Sequence, residues 1–445
     1  MTKPWVRAVL LFLIVGLSGC STLFSSYPED AAHYREALTA GKTAETLATL
    51  GKQQDSSDRL LYLLEAARIQ QIEGDYLASQ RTFDEAIRLF DAQDLEARIR
   101  LKDWSEKSLS LLTNDKANAY RGFGYERIFV HYFQALNYLG LNNSEGAAVE
   151  FRRLSFEQQV LEAQYQENLQ DAYQTAADKD IPVDALNQEH FAQMNADVRD
   201  VHSSFLNAQA FVTAASFWEA HAEINRASVD YRNALAIYPE SVQIRGRLDE
   251  LGQSPKPGEG RLLVLFEEGF VPARIPVGIP LPTFDGGLIA VQFPVYPTRT
   301  WRSPPTYWIQ LGEDRKVAAE IMTNVALLAA KNLSEQMPSM MVRQALRGFA
   351  KYELQRQARR AGGDLGQLLA SIYNLISEQA DLRTWLTLPN SLQSVQLNVA
   401  AGEHRIRFAP SLGTGERSVT IREGETRVLR VFVLPGRVVV QEYTM

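Results

Sequence analysis

The sequence predicts a multidomain α+β protein: an all-α solenoid of helical hairpins, a mixed region of strands and helices, and a small antiparallel β-domain. Three observations carry this. From Asp30 to Leu251 apolar residues recur at three- and four-residue spacing with few β-branched runs, the period of buried helix faces. Gly252 to Gly260 then replaces that pattern with Gly, Ser, Pro and Lys, which marks a boundary. From Ser394 to Tyr443 short alternating segments are punctuated by glycine turns, as antiparallel strands are.

The chain opens with Lys3 and Arg7 followed by an apolar run from Ala8 to Leu17, the order of parts in an export signal. That run falls short of the roughly 20 residues that span a bilayer as a helix. Leu17-Ser18-Gly19-Cys20 closes it and resembles the lipobox of bacterial lipoproteins. The resemblance implies cleavage after residue 19, diacylglycerol on the Cys20 sulfur and an acyl chain on the new amino terminus. Several chains on one residue make a near-permanent membrane anchor. Ser21, where an Asp would signal inner-membrane retention, implies sorting to the outer membrane, facing the periplasm. Residues 20–29 read as a tether. Cys20 is the only cysteine, so no disulfide forms within the chain. Loss of Lys3 and Arg7 without any acidic residue takes the formal charge from −7 to −9, a poor match for nucleic acid.

Within residues 30–251, Leu63, Ala66, Ala67, Gly74, Asp75, Tyr76, Phe83 and Ala86 place small residues at a helix crossing, a turn, and an aromatic on the second helix. Ser79 stands where alanine is usual. Phe211, Ala214, Ala215, Trp218, Ile224, Ala227, Tyr231, Ala234 and Pro239 repeat the register, with Ala222 at the turn glycine. A more degenerate copy spans Glu126 to Leu154, with Ala135, Tyr138, Ala147 and Phe151, and Asn142 at the turn. These stretches resemble tetratricopeptide repeats, which implies a TPR-like solenoid with a concave groove for a partner protein. In that register Arg68, Gln71, Ser216 and Glu219 face the groove. Glu162 to Ser204, with Ile181-Pro182, reads as an elaborated helical connection.

Past the 252–260 linker, Arg261 to Phe266 is a compact apolar strand, and Gly286 to Val295 reads as another among Pro-rich connections. Helices are expected over Lys316 to Gln336, Met340 to Arg360 and Leu365 to Ser377, completing a mixed domain at 261–390. Strands Val395 to Val399, Arg405 to Phe408, Ser418 to Arg422, Arg427 to Leu434 and Arg437 to Glu442 then form a small β-domain at 391–445. The stretches Leu265 to Pro272 (Leu-Phe-Glu-Glu-Gly-Phe-Val-Pro) and Ala380 to Pro389 (Ala-Asp-Leu-Arg-Thr-Trp-Leu-Thr-Leu-Pro), with the lipobox and hairpins, resemble a family of proteobacterial lipoproteins. Ala401 to Phe408 is similar to the short β-modules called PEGA. The resemblance implies location and architecture and brings no catalytic residue.

Asp381, Arg383 and Trp385 together suit a glycan or peptide, or more simply an ion pair beside a core-capping indole. Trp301, Tyr307 and Trp308 raise the same choice between stacking on a ligand and anchoring loops. Met337, Met340, Met341, Phe349 and Leu354 share a helix with Arg343, Arg347, Lys351, Arg356, Arg359 and Arg360, a pattern of core face and solvated basic face, or of a membrane-touching helix. No phosphate loop, nucleophile elbow or zinc helix occurs, and His33, His131, His190, His202, His221 and His404 lie scattered. Glu267 and Glu268, adjacent on a strand, point to opposite faces and make a poor acid–base pair. The expectation is therefore a lipid-tethered, non-enzymatic scaffold without metal or cofactor. It would bind an envelope protein, for example a factor in peptidoglycan synthesis or secretion. The alternative is an envelope peptidoglycan or polysaccharide hydrolase with its site in the aromatic C-terminal region.

Overall fold

Helical periodicity becomes antiparallel hairpins through three turns built alike. The computed structural model describes residues 26–53, 55–100, 118–253, 255–282, 288–297, 303–313, 315–350 and 380–445. After α1 (Tyr27–Ala40) and α2 (Ala44–Gly51), α3 (Arg59–Ile72) pairs with α4 (Tyr76–Arg100), and α5 (Gly124–Gly140) pairs with α6 (Ser144–Asp178). Then come α7 (Val183–Asp197), the pair α8 (Ala208–Ala220) and α9 (Ile224–Ile237), and α10 (Val242–Asp249). The hairpin turns place Gly74, Asn142 and Ala222 in the left-handed region, at φ of 85°, 56° and 57°. In each, the next amide reaches five residues back: Asp75 N donates to Gln70 O at 2.9 Å, Asn143 N to Tyr138 O at 2.8 Å, Glu223 N to Trp218 O at 2.8 Å. Glycine and asparagine tolerate that geometry, whereas alanine carries strain of about 1 kcal/mol. Ala67, Ala86, Ala135, Ala147, Ala214 and Ala227 are buried, letting the paired helices approach.

The strands are β1 (Glu259–Glu268), β2 (Ile275–Pro282), β3 (Leu288–Val295), β4 (Trp308–Leu311), β5 (Arg315–Ala318) and β6 (Glu320–Asn324). A helix, α11, covers 325–350. Then follow β7 (Ser391–Ala400), β8 (Gly402–Phe408), β9 (Glu416–Ile421), β10 (Thr426–Leu434) and β11 (Arg437–Thr444). A five-stranded sheet runs β11-β10-β1-β7-β6, a four-stranded sheet β5-β4-β8-β9, and β2 pairs with β3 alone. β1 lies parallel to β10 and antiparallel to β7. Its uninterrupted apolar run has a physical cause, because both faces are covered. Leu262, Val264 and Phe266 meet Ile406, Phe408 and Val419 of the smaller sheet in one core. Leu263 and Leu265 join the helices in the other. The protein is thus mixed helix and sheet in three layers: hairpins, five-stranded sheet, four-stranded sheet.

This arrangement corrects the division at residue 390. β1 sits between β10 and β7, and β4 pairs with β8, so strands from both expected domains share each large sheet. A strand as apolar as β1 needs two covered faces, which a separate 391–445 domain would not supply. The expected helix at 316–336 is also corrected. Residues 315–318 and 320–324 are strands because β4 and β7 offer edges to pair with. Asn324 Oδ1 accepts Leu327 N at 3.1 Å at the start of α11. That helix runs unbroken through Pro338, where a gap between 336 and 340 was expected. Met337, Met340 and Met341 are buried and Arg343 is exposed, as the core-face reading requires, whereas Arg347 is buried and donates to Gln344 Oε1 at 3.1 Å, which corrects its place on a solvated basic face. Lys351, Leu354, Arg356, Arg359, Arg360 and the expected helix at 365–377 lie outside the described residues, as do Cys20 and the lipobox.

Candidate functional site: the inner helical face

The groove register of the hairpins places Arg68 and Gln71 on α3 and Ser216 and Glu219 on α8, and all four side chains are buried. Each faces the five-stranded sheet. Arg68 binds Glu267 of β1, and its Nη1 donates to Gln71 Oε1 at 2.8 Å. Arg430 of β10 binds the same Glu267, and its Nη2 donates to Gln71 Oε1 at 2.8 Å. Gln71 Nε2 donates onward to Asn137 Oδ1 at 2.6 Å. Asn137 Nδ2 donates to Ser79 Oγ at 2.8 Å, and Ser79 donates to Ala67 O at 2.7 Å. Serine replaces the usual alanine at 79 because its hydroxyl links the two hairpins. Burial works against a charge on Glu267, yet Arg430 and Arg68 outweigh it and hold the carboxyl below its ordinary range. Burial also lowers Arg68, to about 10.

The other end of the helical array repeats the device. Glu219 Oε1 accepts Arg261 Nη2 of β1 at 2.7 Å and Arg247 Nη2 of α10 at 2.5 Å. Gln396 Nε2 of β7 donates to Ser216 Oγ at 3.0 Å and to Tyr231 Oη at 2.9 Å. Nearby, Glu320 accepts the amides of Val242 and Gln243 at 3.2 and 3.1 Å, placing a carboxylate at the N-terminus of α10. The four side chains are buried against the chain's own sheet, so they are not open to a separate protein.

Beyond the Glu268 end of β1 lies the stretch 380–389, which pairs with no strand and is bound by the helices as a peptide would be. Glu65 of α3 accepts Leu386 N at 2.7 Å, Thr387 N at 3.1 Å and the Tyr27 hydroxyl at 2.5 Å. Glu126 of α5 accepts Trp385 N at 2.7 Å and the Tyr120 hydroxyl at 2.5 Å. Arg35 Nε donates to Leu386 O at 2.8 Å. Burial raises both Glu65 and Glu126 above the usual carboxyl range, and these donors pull against it. Trp385 is fully buried, its ring edge-on to Phe83 and Phe133 at 5.9 and 5.8 Å. Arg383 binds Asp58, donates to Asn118 O at 3.0 Å, and pairs with Asp381 at 2.6 Å. Asp381, Arg383 and Trp385 therefore form the ion pair and core cap, the simpler of the two expectations for them, and not the glycan or peptide site. The two family-like stretches also meet, since Val271 N donates to Leu388 O at 3.0 Å.

Tyr307 stacks on Phe266 at 5.3 Å inside the sandwich core, the loop-anchoring alternative of the two and not the ligand-stacking one. Trp308 is half-buried beneath Lys316, whose Nζ lies 3.9 Å from the ring centroid. Trp301 lies outside the described residues. Glu268 accepts Asn390 Nδ2 at 2.9 Å and Ser391 Oγ at 3.3 Å, while Glu267 points among the helices, so the two carboxylates share no cleft. His131 Nδ1 lies 2.6 Å from Glu150 Oε2, a buried pair joining α5 to α6. Among the described residues no three His, Cys, Asp or Glu side chains group to hold a metal. No helix among them is long and apolar enough to cross a membrane. Residues central to this face, Glu65, Glu126 and Arg35, were not singled out from sequence. The available signal for Glu65 was a lone acid in the apolar Leu63-Leu64-Glu65-Ala66-Ala67 run. Comparisons with protein-family models, curated proteins and solved structures find no match to this chain.

Proposed function

We propose that this protein is a non-enzymatic scaffold of the bacterial cell envelope, held at the outer membrane by lipids on Cys20 and reaching into the periplasm. Its hairpins are degenerate tetratricopeptide repeats, a reading supported by the three matched turns and the buried small residues at each crossing. One observation carries the scaffold reading: the inner face of the hairpins clasps the chain's own sheet and the 380–389 stretch. Glu65, Glu126, Glu219 and Glu267 each hold internal donors, so the repeats build a rigid platform whose outer surface is left for partners. The hydrolase alternative gains nothing from Glu267 and Glu268, which are engaged in separate bonds. Partner contact with envelope factors, such as those of peptidoglycan synthesis or secretion, follows from the anchor.

Crosslinking in living cells tests this, comparing the native chain with an exported version lacking residues 1–20. The scaffold reading expects specific envelope proteins to be enriched with the native chain. Enrichment of none under either condition sinks it.

A further inference from the structure

We propose that the notch where α4 meets α6 docks a cationic, apolar segment of a partner protein, an inference that rests on the scaffold reading. Leu95 of α4 and Phe156 of α6 are 61% and 63% exposed, and with Val160 they line a single notch of about 250 Å³. Lone exposed apolar residues are ordinary, but two large ones sharing a notch form a patch.

Its rim is acidic. Asp94, Glu157 and Asp91 converge on Arg127 at 2.5, 3.0 and 3.5 Å. Three carboxylates around one guanidinium leave a formal surplus of two negative charges. The Asp91 and Asp94 side chains are 65% and 44% exposed, so this surplus faces solvent. An apolar side chain fills the floor while lysine or arginine on the same segment meets the rim, a combination that repels anionic lipid and nucleic acid. Gln164 also lines a second cleft of about 870 Å³, with Leu161, Tyr165 and Phe205. The shared Gln164 joins the two clefts along α6 as a groove for a helical segment, and Arg121 and Arg343 on the second cleft confine the cationic contact to the Asp91–Asp94 end.

The probe is a short fluorescent helical peptide with leucines at i, i+3, i+4 and i+7 and lysines elsewhere. Its control carries glutamate at every lysine. Binding to the full chain in non-ionic detergent is read by anisotropy. The lysine peptide should bind, weakening as salt rises, and the glutamate peptide should not. Phe156→Ser and Asp91→Lys change exposed positions and so leave the fold intact. Each should weaken binding about tenfold, roughly the effect of losing one buried aromatic or one complementary charge. Val242→Ser, 73% exposed on α10, should leave binding unchanged. No binding, equal binding of both peptides, or unchanged affinity in Phe156→Ser overturns the proposal. So does recruitment to phosphatidylglycerol vesicles that Phe156→Ser abolishes, which assigns the patch to a membrane. A photo-reactive residue at 156 or 242 in living cells separates the two readings. A partner captured only at 242 overturns the notch and leaves the scaffold standing, whereas no partner from any position removes the scaffold as well.

Discussion

Asp230 offers a prediction whose size follows from its surroundings. Its Oδ2 accepts the indole N–H of Trp218 at 2.9 Å across the α8–α9 hairpin. Burial raises the carboxyl from 3.8 to about 6, against the pull of that hydrogen bond and of Arg226. A carboxyl whose folded-state pKa is raised contributes stability that is fully present below its unfolded value and is lost as pH rises through the folded one. The window is therefore pH 3.8 to 6, and ionised Asp230 weakens the fold above it. A shift of about 2 units at about 1.4 kcal/mol each corresponds to about 3 kcal/mol. Asp230→Asn keeps an oxygen for Trp218 and cannot ionise. It should stabilise the protein by up to about 3 kcal/mol at pH 7.5 and by less than about 1 kcal/mol at pH 4. With about 2.1 cal/mol/K of unfolding entropy per residue, a unit of this size has about 0.9 kcal/mol/K, so the melting temperature at pH 7.5 should rise by about 3 °C. Calorimetry at the two pH values measures both. An equal shift at both pH values, or a fall at pH 7.5, refutes the reasoning.

The remaining predictions concern the turn, the seam and the anchor. Ala222→Gly should relieve the left-handed strain at the third hairpin turn and raise stability by about 1 kcal/mol, read from the urea midpoint; a lower midpoint counts against the strain. Glu267→Gln leaves Arg68 and Arg430 buried without their shared anion and should destabilise the fold by about 3–5 kcal/mol. An unchanged unfolding midpoint contradicts that pairing. Cys20→Ala should abolish lipidation and signal cleavage, seen as an uncleaved chain without incorporated acyl label; normal acylation of that variant removes the anchor.

Local features were legible where short-range chemistry decides them. The hairpin turns, the apolar run of β1, the strands of the C-terminal region and the core role of Met337, Met340 and Met341 follow from periodicity, turn residues and burial preference. Register was legible too, since Arg68, Gln71, Ser216 and Glu219 all face the five-stranded sheet. That the sheet belongs to the same chain was not. A repeat pattern specifies a groove and carries no mark of whether the occupant comes from another chain or from residues 200 positions away. The same limit hid the sheet order: parallel pairing of β1 with β10 joins Arg261 to Thr426, and nothing local to either strand announces it. Residues 315–324 carry helical residue types and become strands because β4 and β7 present edges. Glu65 and Glu126 drew no notice because their partners are backbone amides of a distant stretch.

The inner face of the hairpins is occupied by the chain's own sheet and by residues 380–389. The measurement that tests this most directly is amide hydrogen exchange of residues 380–389 in the full chain, read by mass spectrometry. That stretch forms no sheet or helix of its own, so a free segment of its sequence exchanges within seconds to minutes. The account predicts that Trp385, Leu386 and Thr387, which donate to Glu126 and Glu65, exchange as slowly as the core of α3 and β1. Exchange of those three amides at the rate of an unstructured chain contradicts it.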